Sequence, residues 1–172
     1  WYDALAKPDL VAPGTRLVSD AIVSETLLKA YPTWQFPTPS RSSGVYLRLT
    51  GTSMATGVVS GVVALVLETN RTDRNPDGTR MAPLTPADVK AILEYTATDV
   101  NGADPLAQGA GEVNAAGAIA LTQAIDTRVK PWVVQPLTPA TTIGGQTQLW
   151  SRTVLWGNNA LLSPTADDLL VV

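Results

Sequence analysis

The sequence predicts an α/β domain followed by a short β-rich tail. Strand-like segments occupy the first 50 residues, a long apolar helix pattern follows them, and two further helix patterns lie before residue 125. After Thr127 the composition changes and prolines interrupt the chain. We therefore divide the 172 residues into a domain over 1–127 and a β-rich extension over 128–172. This length suits one domain with an appendage.

Composition excludes several classes of function. The chain is 45% hydrophobic and 16% charged, so it can bury a core. A net charge of −3 argues against a nucleic-acid surface, which needs clustered Lys and Arg. The longest apolar run, residues 58–67, is too short to span a membrane, so we expect no span. The chain has no Cys and no His, which removes thiolate chemistry and the usual general base.

The first 50 residues contain short extended segments. Residues 7–14, "KPDLVAPG", are bounded by prolines and predict a strand end or loop, because proline removes a strand hydrogen-bond donor. Residues 15–23 predict a short strand, and residues 45–50 alternate apolar and polar side chains as a strand does. The Pro- and Ser-rich residues 31–43 predict an exposed loop.

A helix is predicted from the glycine and hydroxyl residues at 51–53 to about Asn70. Nearly every position from Val58 to Leu67 is apolar or small, so we expect this helix to be buried on every side. Gly57 and Gly61 share one face, where a neighbouring backbone could approach closely. They could equally be a tolerated pair that costs about 1 kcal/mol each relative to Ala.

Two more helices follow. Residues 84–97 carry strong start signals: Thr85 as the N-cap, Pro86 at the first helical position, and Asp88 completing a capping box. A glycine-rich turn then precedes a helix of small residues from about Asn114.

The tail contains a weak hexad pattern over residues 149–166, "LWSRTV", "LWGNNA" and "LLSPTA". In an extended chain this spacing would place Trp150, Trp156 and Leu162 on the same face. So few copies are weak evidence for a repeat. A hairpin that turns at residues 157–159 explains the pattern at least as well.

Ser53 is the candidate nucleophile. It follows a strand and a tight turn and precedes the apolar helix, so its N–H belongs to the first helical turn, whose free donors stabilise developing negative charge. A serine that attacks a carbonyl group needs such donors. Serine is also a preferred helix cap, so on spacing alone a purely structural role stays open.

Four segments together resemble one family. "GTSMA" at residues 51–55 resembles the nucleophile motif of the subtilisin-like serine proteases (subtilases), and residues 7–14, 84–97 and 108–119 resemble three flanking segments in the family's order. These segments cover most of residues 5–125. The resemblance implies the C-terminal half of a subtilisin-like parallel sheet with helices on both faces.

The resemblance also assigns roles to individual residues. Ser53 matches the catalytic nucleophile, Met54 matches a residue that lines the oxyanion region, and Gly51 and Thr52 form the turn that presents the serine. Asp9 matches a structural residue packed under the site rather than the triad acid.

The sequence departs from the family pattern in two places. Gly57 and Val58 stand where the family usually has proline and histidine, which we expect to alter the helix kink rather than the chemistry. The connection over residues 15–50 is longer than usual, so we expect residues 31–43 to be an insertion near the site.

The rest of the active site is expected outside this chain. In the family the triad Asp, the triad His and the oxyanion Asn precede the "KPD" segment. Because loss of the base costs on the order of 10⁶ in turnover, we expect this chain to be inert alone. The expected partners are the N-terminal half of the same protease, protein or peptide substrates, and a second copy at the exposed apolar face. We further expect secretion, and a processed or truncated product because the chain begins at Trp1.

Two other functions are considered. The chain could be a non-catalytic binding or structural module in which Ser53 only caps a helix and the Trp-containing tail docks onto a partner. A metal-binding domain is a weaker alternative, because the oxygen-rich residues 70–78 lack the spacing and closing Glu of a calcium loop. We expect no cofactor, although the family resemblance allows calcium.

Overall fold

The computed structural model describes residues 7–22, 26–36, 45–128, 132–157 and 159–162, with only the backbone of Trp156 and of residues 159–162. The chain forms two compact units. The smaller unit comprises residues 13–58, and the larger unit comprises residues 1–12 and 59–172.

The smaller unit contains a three-stranded antiparallel sheet in the order β1-β3-β2. Its strands are β1 (Leu17–Ala21), β2 (Gln35–Phe36) and β3 (Val45–Leu49). Leu17 pairs with Leu49, so the buried side chain of Leu47 and the half-buried Leu17 and Leu49 lie on one face of the sheet. The strands predicted within 15–23 and 45–50 are thus confirmed.

The segment between β1 and β3 is more regular than the sequence predicted. Helix α1 (Thr26–Ala30) and a 3-10 helix (Pro32–Trp34) lead into β2. The exposed loop predicted over residues 31–43 is exposed over 31–36, but a loop is wrong for 32–36. Proline at the first position favours the 3-10 turn, and β2 then pairs with β3. Residues 37–44 lie outside the described part of the chain.

Helix α2 spans Thr52–Thr72, as predicted, but it is buried on one face rather than on every side. Its buried side chains, Val62, Val66 and Asn70, recur every four residues and face the core of the larger unit. Gly57, Gly61 and Leu65 are exposed, the last to 49%. Burial all round is therefore wrong for this chain, since nothing described covers the opposite face.

The length of α2 also bears on membrane insertion. By length and composition alone, its 21 residues are long and apolar enough to cross a membrane. The apolar run over residues 58–67, on which the prediction of no membrane span was based, is only part of this helix. This is a weak indication, because core helices of soluble proteins satisfy the same criterion. The absence of a membrane span therefore stays a prediction.

The predicted capping box starts helix α3 (Pro86–Thr96). The Thr85 hydroxyl accepts a hydrogen bond from the N–H of Asp88 at 3.2 Å, and Asp88 Oδ2 accepts one from the N–H of Thr85 at 2.6 Å. A short helix α4 (Pro105–Gln108) and helix α5 (Ala115–Ala124) follow. Asn114 caps α5 by accepting a hydrogen bond from the N–H of Gly117 at 3.0 Å.

From Ile125 onward the described chain forms two-stranded antiparallel sheets. The strands, which pair in chain order, are β4 (Ile125–Asp126) with β5 (Val133–Val134), β6 (Ala140–Ile143) with β7 (Gln146–Leu149), and β8 (Thr153–Trp156) with β9 (Asn159–Leu162). Trp156 pairs with Asn159, which confirms a hairpin at the predicted turn. The common face proposed for the hexads depends on side chains outside the described residues.

The tail and the helices share one core. Trp150 is 4% exposed and its ring meets Tyr95 of α3 edge-on at 6.2 Å, and Val154 belongs to the same cluster as Leu121 of α5. The two compact units divide the chain after residues 12 and 58. The predicted domain boundary at residue 127 stays a prediction.

The described chain contains both helices and strands, but every described sheet is antiparallel. The parallel pairing in the described residues is a single bridge between Val11 and Glu112. The parallel sheet with helices on both faces therefore stays a prediction.

Candidate active site

Ser53 lies in the first turn of α2, one residue inside the helix. The carbonyl oxygen of Gly51 accepts hydrogen bonds from the N–H groups of Met54 at 3.1 Å and Ala55 at 3.3 Å, so Gly51 occupies the N-cap position. Within the described part of the chain, the Ser53 hydroxyl has no hydrogen-bond partner, and the N–H groups of Thr52 and Ser53 remain unpaired. This is not the geometry of a side-chain cap.

The turn before Ser53 is fixed by a contact between two glycines. The N–H of Gly51 donates a hydrogen bond to the carbonyl oxygen of Gly14 at 2.8 Å. A Cβ atom at Gly14 would lie 2.7 Å from the Gly51 oxygen and 3.1 Å from the Cβ of Ala55. Only glycine fits there, so the end of "KPDLVAPG" packs directly against the start of "GTSMA".

Ser53 lies at the rim of an apolar cleft of about 480 Å³ within the smaller unit. β1 and β3 form one wall and the first turns of α2 form the other. The lining residues are Leu17, Val18, Ser19, Asp20, Leu47, Leu49, Ser53, Met54, Gly57 and Val58. The Ser53 side chain is exposed, so a substrate carbonyl could reach its hydroxyl.

The four residues predicted for the site are contiguous, but they differ in environment. Met54 is half-buried and lines the cleft, whereas the side chain of Thr52 is exposed and lies outside the lining. The Thr52 carbonyl oxygen accepts a hydrogen bond from the Thr56 hydroxyl at 2.9 Å. The roles of Gly51, Thr52 and Met54 in catalysis stay predictions.

The described lining of the cleft offers no histidine as a base for a serine nucleophile. The chain contains no histidine, and Asp20 is the ionisable residue among those that line the cleft. Sequence reasoning missed Asp20 and the apolar wall of β1. The sequence predicted a short strand within residues 15–23, but it could not indicate which of its residues would face Ser53.

Asp9 belongs to the larger unit, where it is engaged in ion pairs. Its carboxylate lies 2.6 Å from Lys7 Nζ and 2.7 Å from Lys90 Nζ. Partial burial acts to raise the pKa of Asp9, but the two lysines outweigh it and lower the pKa below its ordinary value. This environment fits the structural role predicted for Asp9, and its place under Ser53 stays a prediction.

The described residues contain no group of three or more His, Cys, Asp or Glu side chains placed to bind a metal. In the loop after α2, Asp77 accepts hydrogen bonds from Thr79 and faces Arg128 at 3.4 Å. Asn75 is buried and ties the loop to the backbone of Thr127 at 2.9 Å. These contacts give the polar residues of 70–78 a structural role, and calcium stays a prediction.

Comparison with known proteins points to one family. A model of the subtilase family matches residues 1–111. The chain is 34% identical over 113 residues to the serine protease AprX of Bacillus subtilis, covering 66% of this chain and 22% of that protein. It is 35% identical over 111 residues to halolysin of Haloferax mediterranei, covering 64% of this chain and 15% of that protein.

A plant relative is similar over the same part of the chain. The subtilisin-like protease SBT3.3 of Arabidopsis thaliana is 32% identical over 117 residues, covering 64% of this chain and 13% of that protein. The chain thus spans less than a quarter of the length of each of these curated relatives.

Proposed function

Because this chain belongs to the subtilase family, we propose that Ser53 is the nucleophile of a serine endopeptidase. The observation that carries the proposal is the position of Ser53. Its hydroxyl is exposed at the rim of the cleft, and its own N–H, in the first turn of α2, has no partner among the described residues.

The chemistry follows from this position. Ser53 Oγ would attack the carbonyl carbon of an extended peptide segment while a base takes the hydroxyl proton. The carbonyl oxygen would become an oxyanion, and the Ser53 N–H could donate a hydrogen bond to it at the helix terminus. Removing one oxyanion donor typically costs about 10²–10³ in turnover. Collapse of the tetrahedral intermediate would release the amine with the proton, and water would hydrolyse the acyl-enzyme.

The base and its orienting acid would come from the N-terminal half of the same protease. Ser53, Gly57 and Gly61 follow at intervals of four and therefore share one helix face, and the two glycines are exposed. A segment that covers this face would approach the helix backbone closely at the glycines and would bring side chains toward Ser53. The parallel sheet expected for the family, a second oxyanion donor and an extracytoplasmic location belong to the same proposal.

The alternative, a non-catalytic module, is less consistent with the contacts. Trp150 is buried against α3, and its Nε1–H donates a hydrogen bond to the Thr141 hydroxyl at 2.8 Å. A side chain committed in this way is not available to dock onto a partner. The position of Ser53 inside α2 also argues against a simple capping role.

A fluorophosphonate probe tests the proposal. In the full-length protein we expect covalent labelling at Ser53, and Ser53→Ala should abolish it. Ser19→Ala removes another hydroxyl from the same cleft and should label normally. The isolated chain should react at least about 10³-fold more slowly, because it lacks the base. Absence of labelling at Ser53 in the folded full-length protein would refute the proposal.

A further inference from the structure

Glu94 is a fully buried carboxylate that the proposed chemistry does not use. Its side chain on α3 is 0% exposed. Oε2 accepts a hydrogen bond from the N–H of Leu155, in β8, at 2.7 Å. Oε1 is buried without a hydrogen-bond partner within the described part of the chain. Glu94 thus joins the helix to the tail, and its Oε1 has an ion pair but no hydrogen bond within the described residues.

The charged groups that act on Glu94 come from its own helix and from the segment over residues 7–14. Lys90 Nζ lies 3.5 Å from Oε1, and Asp9 lies on the other side of Lys90 at 2.7 Å. The contact from β8 is the backbone N–H of Leu155. Because Lys90 is shared with Asp9, it compensates the charge of Glu94 only in part.

The tail contributes directly to this burial. Next to the Leu155 contact, the N–H of Arg152 donates to the carbonyl oxygen of Tyr95 at 2.9 Å, and that of Ser151 donates to the carbonyl oxygen of Ala97 at 2.7 Å. These bonds hold the start of the β8–β9 hairpin across the end of α3. If the hairpin separated from α3, water could reach both oxygens of Glu94.

We propose that Glu94 makes the docking of the β8–β9 hairpin on α3 depend on pH, so that the hairpin is held most firmly when this carboxyl is protonated. An ionised carboxylate can accept about four hydrogen bonds, whereas among the described residues Glu94 accepts one, from Leu155, beside its ion pair with Lys90. Ionisation therefore favours the open arrangement, in which water satisfies the remaining sites. Protonation removes the charge and leaves Oε2 able to accept from Leu155.

The electrostatics agree with this direction. Burial raises the pKa of Glu94 from its ordinary value of 4.5 to about 7, against the lowering effects of Leu155 and Lys90. A carboxyl with a raised pKa in the docked state favours docking at low pH, and that advantage is lost as the pH rises from 4.5 through 7. Lys90 has a raised pKa and Asp9 a lowered one, so neither titrates in this window.

Hydrogen exchange in the full-length protein tests the proposal. Protection of the amides of residues 151–157 should fall at least tenfold from pH 5 to about pH 9 after correction for intrinsic rates, because each unit of pKa shift corresponds to about a tenfold change in the docking equilibrium. Glu94→Gln keeps an acceptor for Leu155 but cannot ionise, so its protection should not change with pH. Glu68→Gln, an exposed position on α2, should behave as the wild type does.

Two results would overturn the proposal: protection in the wild type that is independent of pH, or an equal pH dependence in Glu94→Gln. If Glu94→Gln does not fold, carbon NMR of the wild-type Glu94 carboxyl decides. A titration midpoint above about pH 6 supports the proposal, and a lower midpoint refutes it.

Discussion

The carbonyl oxygen of Gly14 and the N–H of Gly51 are joined by a hydrogen bond of 2.8 Å that fixes the turn before Ser53. We predict that Gly14→Ala disrupts this turn, because the added Cβ would lie 2.7 Å from the Gly51 oxygen. The variant should lose about 1–3 kcal/mol of unfolding free energy, the usual cost of overpacking. Denaturant unfolding measures this loss, and labelling of Ser53 in the full-length protein should fall with it.

Thr15→Ala is the matched control for Gly14→Ala. Thr15 is the next residue in the chain, and its side chain is exposed. Its unfolding free energy should change by no more than about 0.5 kcal/mol. If Gly14→Ala and Thr15→Ala have the same unfolding free energy and the same labelling of Ser53, the contact between the glycines does not position Ser53.

How far the site could be predicted from the sequence depends on the residue. "GTSMA" located Ser53, and the strand and helix patterns gave the elements around it, because their signals are local. The contact of Gly14 with Gly51 could not be derived from local signals, since the two glycines are 37 positions apart and no periodicity relates the two turns. The same applies to the wall that β1 contributes to the cleft.

The error over α2 has a physical cause. An apolar pattern on every face predicts burial on every face, but burial depends on what else is present to cover the helix. In this chain the larger unit covers the side that carries Val62 and Val66, and the side of Gly57 and Gly61 remains exposed. The apolar pattern therefore shows that every face of α2 is suited to burial, but it does not show which faces the rest of this chain covers.

The exposed face of α2 supplies a second prediction. Gly61→Leu should leave the isolated chain at least as stable, because a Cβ at Gly61 meets no atom within 4 Å and Leu is the better helix former by about 0.8 kcal/mol. In contrast, it should weaken association with the N-terminal half of the protease at least about fivefold, because overpacking a close interface costs about 1–3 kcal/mol. Titration calorimetry with the two halves, produced separately, measures the dissociation constant of this association.

Leu106→Ala is the control for this association. Leu106 is an apolar residue exposed to 79% on α4, which is a different helix. Its substitution should leave the dissociation constant unchanged. Equal binding by Gly61→Leu and the wild type would mean that this face of α2 does not contact the other half.

The tail should contribute strongly to the stability of the larger unit. Trp150→Ala removes a buried ring from the core and should cost about 3–5 kcal/mol of unfolding free energy. Trp150→Phe keeps most of the apolar contact with Tyr95 but loses the bond from Nε1 to Thr141, so it should cost about 1 kcal/mol from that bond in addition to the lost volume. Denaturant unfolding measures both variants.

Leu149 provides the comparison for Trp150. It precedes Trp150 in the chain but is exposed to 73%, so Leu149→Ala should change the free energy by no more than about 0.5 kcal/mol. If Trp150→Ala is equally mild, the tail does not share the core of the helices.

The ion pairs of Asp9 predict a loss of stability in acid. Because the folded-state pKa of Asp9 lies below its ordinary value of 3.8, the ionised form stabilises the fold, and this contribution disappears as the pH falls through the folded-state pKa. Glu94 has the opposite sign and reaches its full effect by its ordinary pKa of 4.5, so it adds no further change below that value. Between pH 4.5 and about pH 2.5 the wild type should therefore lose more unfolding free energy than Asp9→Asn.

Denaturant midpoints measured across this range test the difference. Asp20→Asn is the control and should follow the wild type, because Asp20 is an exposed carboxylate on β1 without an ion pair in the described residues. Parallel acid profiles for Asp9→Asn and the wild type would show that Lys7 and Lys90 do not stabilise the fold through Asp9.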